Sequence, residues 1–107
     1  MELSIRRGEV RLYRFKPPDK ERPIVILSRN SSIQFMGEIT VAPITSTIRD
    51  IPTEVVLDRR DGMKTVCAVN LDHIQTVSKG KIGKLITTLS KERMRQIREA
   101  LLFALEL

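Results

Sequence analysis

Short apolar runs rich in β-branched residues, each cut off by proline, glycine or a polar cluster, restrict this chain to a small β-structure. Ile24-Val25-Ile26-Leu27 follows directly on Pro23 and runs out in the polar turn Ser28-Arg29-Asn30-Ser31-Ser32, the pattern of a buried strand over Pro23 to Ser28. Glu9 to Phe15 mixes apolar and charged residues in near alternation until Pro17-Pro18 stops it, as a half-exposed strand does. Phe35 to Ile44 reads as a third strand, with Ile39 and Val41 alternating with Glu38, Thr40 and Ala42. Thr53 to Leu57 and Thr65 to Asn70 are two more, separated by Asp58-Arg59-Arg60-Asp61-Gly62, whose Asp-Gly pair predicts a tight hairpin turn. His73 to Val77 and Leu85 to Leu89 follow, the second reached through a flexible cationic connector, Ser78-Lys79-Gly80-Lys81-Ile82-Gly83-Lys84.

Only the C-terminal stretch changes period. Met94, Ile97, Leu101, Ala104 and Leu105 recur at helical spacing behind Ser90, a good N-cap. A helix is predicted from Lys91 to near the end, and Met94, Ile97 and Leu101 suit either the core or a subunit interface. A set of short strands with turns throughout and one terminal helix predicts a single domain over 1–107: mainly β, a strongly curved antiparallel sheet partly closed into a barrel.

With 41% hydrophobic and 30% charged residues in 107, the chain has the composition of an ordinary globular domain and not of a disordered one. No apolar run approaches a membrane span, and the opening Met-Glu-Leu-Ser-Ile-Arg-Arg is no signal peptide, so a cytoplasmic location is expected. Cys67 is the only cysteine; flanked by Val66 and Ala68, it reads as a small buried hydrophobe. One His and one Cys without a carboxylate cluster make no metal-ligand set, and no cofactor is expected. The net charge of +6 favours polyanionic partners, nucleic acid foremost. Its lysines and arginines are scattered along the chain, so any basic surface has to be assembled by folding. Aromatic residues are 4% of the chain, too few for the stacking platforms of an ordinary single-strand-binding domain.

Four segments stand in order along the chain: Arg7-Gly8-Glu9-Val10, Arg22-Pro23-Ile24-Val25-Ile26-Leu27-Ser28, Val41-Ala42-Pro43-Ile44-Thr45, and Asp72-His73-Ile74-Gln75-Thr76-Val77. In these pieces and their spacing the chain resembles the MazF/PemK (Kid) group of bacterial toxin endoribonucleases. The resemblance implies an SH3-like barrel of the CcdB/MazF/Kid kind with a C-terminal helix, assembled as a homodimer. It implies metal-independent cleavage of single-stranded mRNA at short sequence motifs, leaving 2′,3′-cyclic phosphate and 5′-OH ends. It also implies a MazE-like antitoxin that lays a flexible acidic segment into the RNA groove, as suits a basic toxin.

Carried over residue by residue, Arg22 matches the family's catalytic arginine and Thr45 the threonine that completes its site. A guanidinium offers a planar fork of donors to a phosphate but rarely gives up a proton, so charge stabilisation is the role expected of Arg22. Thr45 would donate its hydroxyl to a phosphate oxygen. His73 stands where relatives often carry Gln, and imidazole is the side chain best suited to moving protons near neutrality; a catalytic role or an RNA contact is open to it. Lys20, Ser28, Arg29 and Arg49 are the further candidates for RNA contact at the groove edge. The chain departs from many relatives in filling the loop before Arg22 with Lys16-Pro17-Pro18-Asp19-Lys20-Glu21, so the recognised RNA motif does not carry over. Two other functions fit the same barrel: a CcdB-like toxin that traps DNA gyrase, and a non-catalytic RNA-binding module.

Overall fold

The structure is a computed structural model that describes residues 4–17 and 20–107; Pro18 and Asp19 of the proline loop and the first three residues lie outside the described part. Seven strands and two helices follow one another: β1 (Glu9–Arg14), β2 (Glu21–Ile26), α1 (Asn30–Ile33), β3 (Glu38–Thr45), β4 (Glu54–Leu57), β5 (Cys67–Asn70), β6 (Gln75–Ser78), β7 (Ile82–Thr88) and α2 (Lys91–Leu105). Every pairing is antiparallel, in the order β4-β5-β3-β2-β1-β7. The long strand β3 forks: its first half, Glu38 to Val41, pairs with β6, and its end, Ile44 and Thr45, pairs with β5. Among the described residues no pairing joins β7 to β4 or β6, so the sheet is open rather than a closed barrel.

The apolar runs explain why β2 and β3 lie at the centre. Val25, Ala42 and Ile44 point into a core shared with Ile97 and Ala100 of α2, whereas Ile24, Ile26 and Val41 point into a second core with Ile39, Val77 and Ile82. Both faces are covered, which is what a continuous run such as Ile24-Val25-Ile26 requires, and each such side chain contributes about 1.5–3 kcal/mol on burial. Helix α2 starts at Ser90, whose side chain accepts from Arg93 N, and packs against β4 and the 3₁₀ turn Leu71–His73. Of the residues left open between core and interface, Ile97 is fully buried and Met94 and Leu101 pack against the same core.

Four local expectations are corrected. Strand β3 starts at Glu38, not Phe35; a short helix, α1, precedes it and leaves Phe35 82% exposed. The β4–β5 hairpin has no tight two-residue turn. Residues 58–66 connect it through a 3₁₀ turn, Arg59–Asp61, in which the Asp58 side chain accepts from Arg60 N, the Asp61 side chain accepts from Asp58 N, and Gly62 ends the turn at φ 93°. The cationic connector is shorter than expected, because Lys79–Lys81 form a 3₁₀ turn and β7 starts at Ile82. His73 ends another 3₁₀ turn, so β6 starts at Gln75.

The Arg7-Gly8-Glu9-Val10 segment is structural. Gly8, at φ 91°, donates to Ile26 O and accepts from Leu89 N, tying β2 to the approach to α2. Glu9 and Arg11, both buried, form an ion pair at 2.8 Å, and Glu9 Oε1 also accepts from Arg6 N.

Candidate active site

Strands β2 and β3 are hydrogen-bonded partners from Ile26↔Val41 to Ile24↔Pro43 and no further. Carried two residues on, that register sets Arg22 opposite Thr45. The pairing stops where it does because Pro23, the next residue of β2 due to donate to β3, has no N–H to give. Pro43 also falls in the gap of the β3 fork, between the last β6 partner at Val41 and the first β5 partner at Ile44. The prolines thus let the two strand ends part, with an exposed arginine on one lip and a half-buried threonine on the other.

Two clefts meet there. The larger, about 610 Å³, is lined by Arg22, Thr45, Ser46, Lys64, Thr65 and Lys84 over an aliphatic floor of Leu12, Leu85 and Ile86. The smaller, about 290 Å³, is lined by Arg22 and Thr45 again together with Phe15, Asn70, His73 and Gln75. Among the described residues no acidic side chain lines either cleft, so an anion entering them meets the cations and neutral donors of those residues.

The hydrogen bonds fix what the neutral groups can offer. Thr45 Oγ1 accepts from Thr47 N at 3.0 Å, which occupies a lone pair and leaves the hydroxyl proton to donate outward. Asn70 Oδ1 accepts from Asp72 N at 3.0 Å, which orients the amide so that Nδ2 lies 3.4 Å from His73 Nδ1. Because Nδ2 can only donate, Nδ1 is the acceptor, and the neutral ring carries its proton on Nε2. Asp72 is engaged with Thr53, whose Oγ1 donates to Asp72 Oδ2 at 2.5 Å. Cys67 borders the larger cleft but is buried; burial, and then the charges of Asp61 and Asp58, push its thiol up and keep it protonated.

Arg22, Thr45 and His73 therefore come together, while Lys20, Ser28, Arg29 and Arg49 line neither cleft. Ser28 and Arg29 lie at the far end of β2, and six residues of extended chain put Ser28 roughly 20 Å from Arg22. Ser28 Oγ accepts from Thr40 N, and Arg29 flanks α1. Arg49 stands beyond β3, where its backbone N donates to Glu54 Oε1. Lys20 is exposed just ahead of β2. Lys64, Lys84, Phe15, Asn70 and Gln75 were not singled out from sequence; the one signal was the place of Gln75 within the Asp72-to-Val77 segment. Among the described residues no group of three or more His, Cys, Asp or Glu is placed to hold a metal ion, and no helix is long and apolar enough to cross a membrane.

An open curved sheet with a packed C-terminal helix and a cleft at the β2–β3 lips lined with cations and neutral donors defines a class of small protein suited to gripping an anionic chain. The chain matches the family described as PemK-like, MazF-like toxin of type II toxin-antitoxin system over residues 6–105, and it belongs to that family. It is 40% identical over 86 residues to the probable endoribonuclease MazF5 of Mycobacterium tuberculosis, covering 79% of each chain. It superposes on the Mycobacterium tuberculosis toxin MazF-mt6 with a TM-score of 0.85 at 31% identity, covering 92% of this chain and 97% of that one. A mycobacterial endoribonuclease in complex with its cognate antitoxin aligns at a TM-score of 0.86 and 28% identity, with 96% of both chains covered.

Proposed function

We propose that this protein is the toxin of a type II toxin–antitoxin pair and an endoribonuclease that cuts single-stranded mRNA in the cytoplasm. The observation that carries the reading is the meeting of Arg22 and Thr45 at the junction of two clefts lined with cations and neutral donors. A single strand laid through both clefts has its phosphate between them.

At that phosphate the 2′-oxygen of the preceding ribose bonds to phosphorus as its proton leaves. The P–O5′ bond then breaks, and the departing oxygen takes up a proton. The products are a 2′,3′-cyclic phosphate and a 5′-OH end, with no oxidant or co-reactant consumed. Between them stands a phosphorane carrying extra negative charge, which the Arg22 guanidinium holds through two donors while Thr45 donates its hydroxyl to a non-bridging oxygen. His73, with its proton on Nε2, acts as a hydrogen-bond donor to the RNA rather than as the base. The chemistry needs no metal, since cation and donors come from side chains.

A partner antitoxin with an acidic segment suits the same clefts, and the mycobacterial relative solved with its cognate antitoxin supports such a partner. A homodimer is the assembly expected of the family. Exposed Phe103, Leu105 and Leu107 at the end of α2 give it apolar surface to bury.

The test is the chemistry of the ends. Single-stranded RNA incubated with the protein in a chelator should yield 5′-OH and 2′,3′-cyclic phosphate termini, and a substrate carrying 2′-deoxyribose at the cut position should stay intact. Uncut RNA beside inhibited gyrase would overturn the nuclease in favour of a protein-trapping toxin.

A further inference from the structure

Three consecutive residues of β7, Lys84, Leu85 and Ile86, line the larger cleft. A regular strand sends successive side chains to opposite faces, so three in a row call for a break in the pleat. Two breaks are present. The β1–β7 register runs Val10↔Thr87, Arg11↔Leu85, Tyr13↔Ile82, so β7 carries an extra residue at each interval, Ile86 at the first and one of Gly83 and Lys84 at the second. Bulges of this kind bend a strand and re-aim its side chains.

The second bulge is pinned from inside the protein. Arg11, buried and paired with Glu9, donates from Nη1 to Gly83 O at 3.0 Å. Glycine eases the close approach there, since a Cβ at Gly83 would lie 3.2 Å from Leu12 O. A buried ion pair therefore holds the irregular backbone that carries Lys84. Across the cleft, the connection between β4 and β5 supplies Lys64, whose carbonyl accepts from Arg59 Nε. Among the described residues neither lysine is in an ion pair.

We propose that Lys64 and Lys84 bind the RNA backbone phosphates next to the one held by Arg22 and Thr45. The inference rests on the ribonuclease reading above and extends it. The larger cleft shares Arg22 and Thr45 with the smaller one, so an RNA strand whose reacting phosphate lies at that pair continues into it. There it meets two cations and the hydroxyl-bearing Ser46 and Thr65, with no carboxylate among the described residues. Contacts of this kind position the strand without reading its sequence. A salt dependence then follows, because each phosphate neutralised on single-stranded nucleic acid releases bound counterions.

The experiment compares wild type, the double variant Lys64→Gln/Lys84→Gln, its Lys64→Arg/Lys84→Arg counterpart, and Arg98→Gln as a charge-loss control on the exposed face of α2. KM and kcat for a single-stranded RNA are measured from 50 to 200 mM salt, where the bounds are about those over which such slopes are resolved. For the Gln double variant, KM should rise about tenfold at the upper salt with kcat within about twofold, and the slope of log(1/KM) against log salt should flatten by about 1.4. The Arg double variant should keep the wild-type slope, and Arg98→Gln should change it little. A Gln double variant indistinguishable from Arg98→Gln would overturn the proposal. So would unchanged RNA kinetics combined with lost inhibition by an acidic, aliphatic peptide, which would make the cleft a peptide site. Wild-type protein that cuts no RNA removes the nuclease reading itself; wild-type cleavage with an unaltered slope in the variant removes only the role of the lysines.

Discussion

A guanidinium is a planar fork, and a threonine hydroxyl is a single donor; set opposite each other on parted strand ends they complement the non-bridging oxygens of one phosphate. Arg22 could be suspected from its place ahead of Pro23 and the buried run, and Thr45 from the end of the Val41-Ala42-Pro43-Ile44-Thr45 segment. Their apposition was implied by the family resemblance alone; its physical basis, the place where the β2–β3 ladder stops, is visible only in the structure. His73 is the converse case. Its imidazole left a catalytic role or an RNA contact open, and the amide of Asn70, oriented by Asp72 N, favours the tautomer with the ring proton on Nε2. Gln in its place keeps an N–H donor. A His73→Gln enzyme is therefore expected to retain kcat within about threefold and to leave both limbs of the pH–rate profile where they are. Loss of a limb near neutrality would make His73 a true acid or base.

At the scale of elements, the turn after β4 is fastened to α2. Arg93 Nε and Nη2 donate to the two oxygens of Asp61 at 2.9 and 3.1 Å, and Thr87 Oγ1 donates to Asp61 O. Burial works to raise the Asp61 carboxyl, but the Arg93 hydrogen bond, the Asp58 N–H and the charge of Arg93 outweigh it and hold the group below the usual carboxylate range. A depressed carboxylate stabilises the fold at pH above its unfolded value of about 3.9, and that contribution is lost as pH falls through the lower folded value. Asp61→Asn should cost about 1–2 kcal/mol, roughly 5–10 °C in Tm at neutral pH. The gap to wild type should close in strong acid; a Tm difference that persists unchanged to pH 2 would contradict the linkage, with the pH given as about the foot of the titration. The same turn shows what sequence could and could not tell. Asp61-Gly62 did mark a positive φ, at Gly62, and the hairpin exists, but the pair ends a 3₁₀ turn capped by Asp58. Patterns carried by the chain's own apolar residues survived: the continuous run of β2, though the strand spans Glu21–Ile26 and not Pro23 to Ser28, the alternating body of β3, and the helical period of α2 behind Ser90. Features set by a neighbour did not. Helix α1 has four residues and no side-chain N-cap bond, and the β7 bulges exist only relative to β1.

Over the whole molecule, a net charge of +6 draws RNA or an acidic antitoxin to the protein, and the cationic cleft lining of Arg22, Lys64 and Lys84 focuses that attraction on the β2–β3 lips. The apolar end of α2 belongs to this scale too. Phe103 is 64% exposed and Leu107 82%, and if they are covered in a homodimer, Phe103→Lys should shift the protein toward monomer in light scattering without lowering the monomer's helix content. An unchanged mass would place the dimer contact elsewhere. The central claim, that Arg22 stabilises the transition state of RNA cleavage, is tested most directly by the single-turnover rate of Arg22→Ala on a saturating single-stranded RNA in chelator. Loss of one such donor pair is expected to slow cleavage about 10²- to 10³-fold while RNA affinity falls only a fewfold. A variant that cleaves within about threefold of wild type would contradict the account.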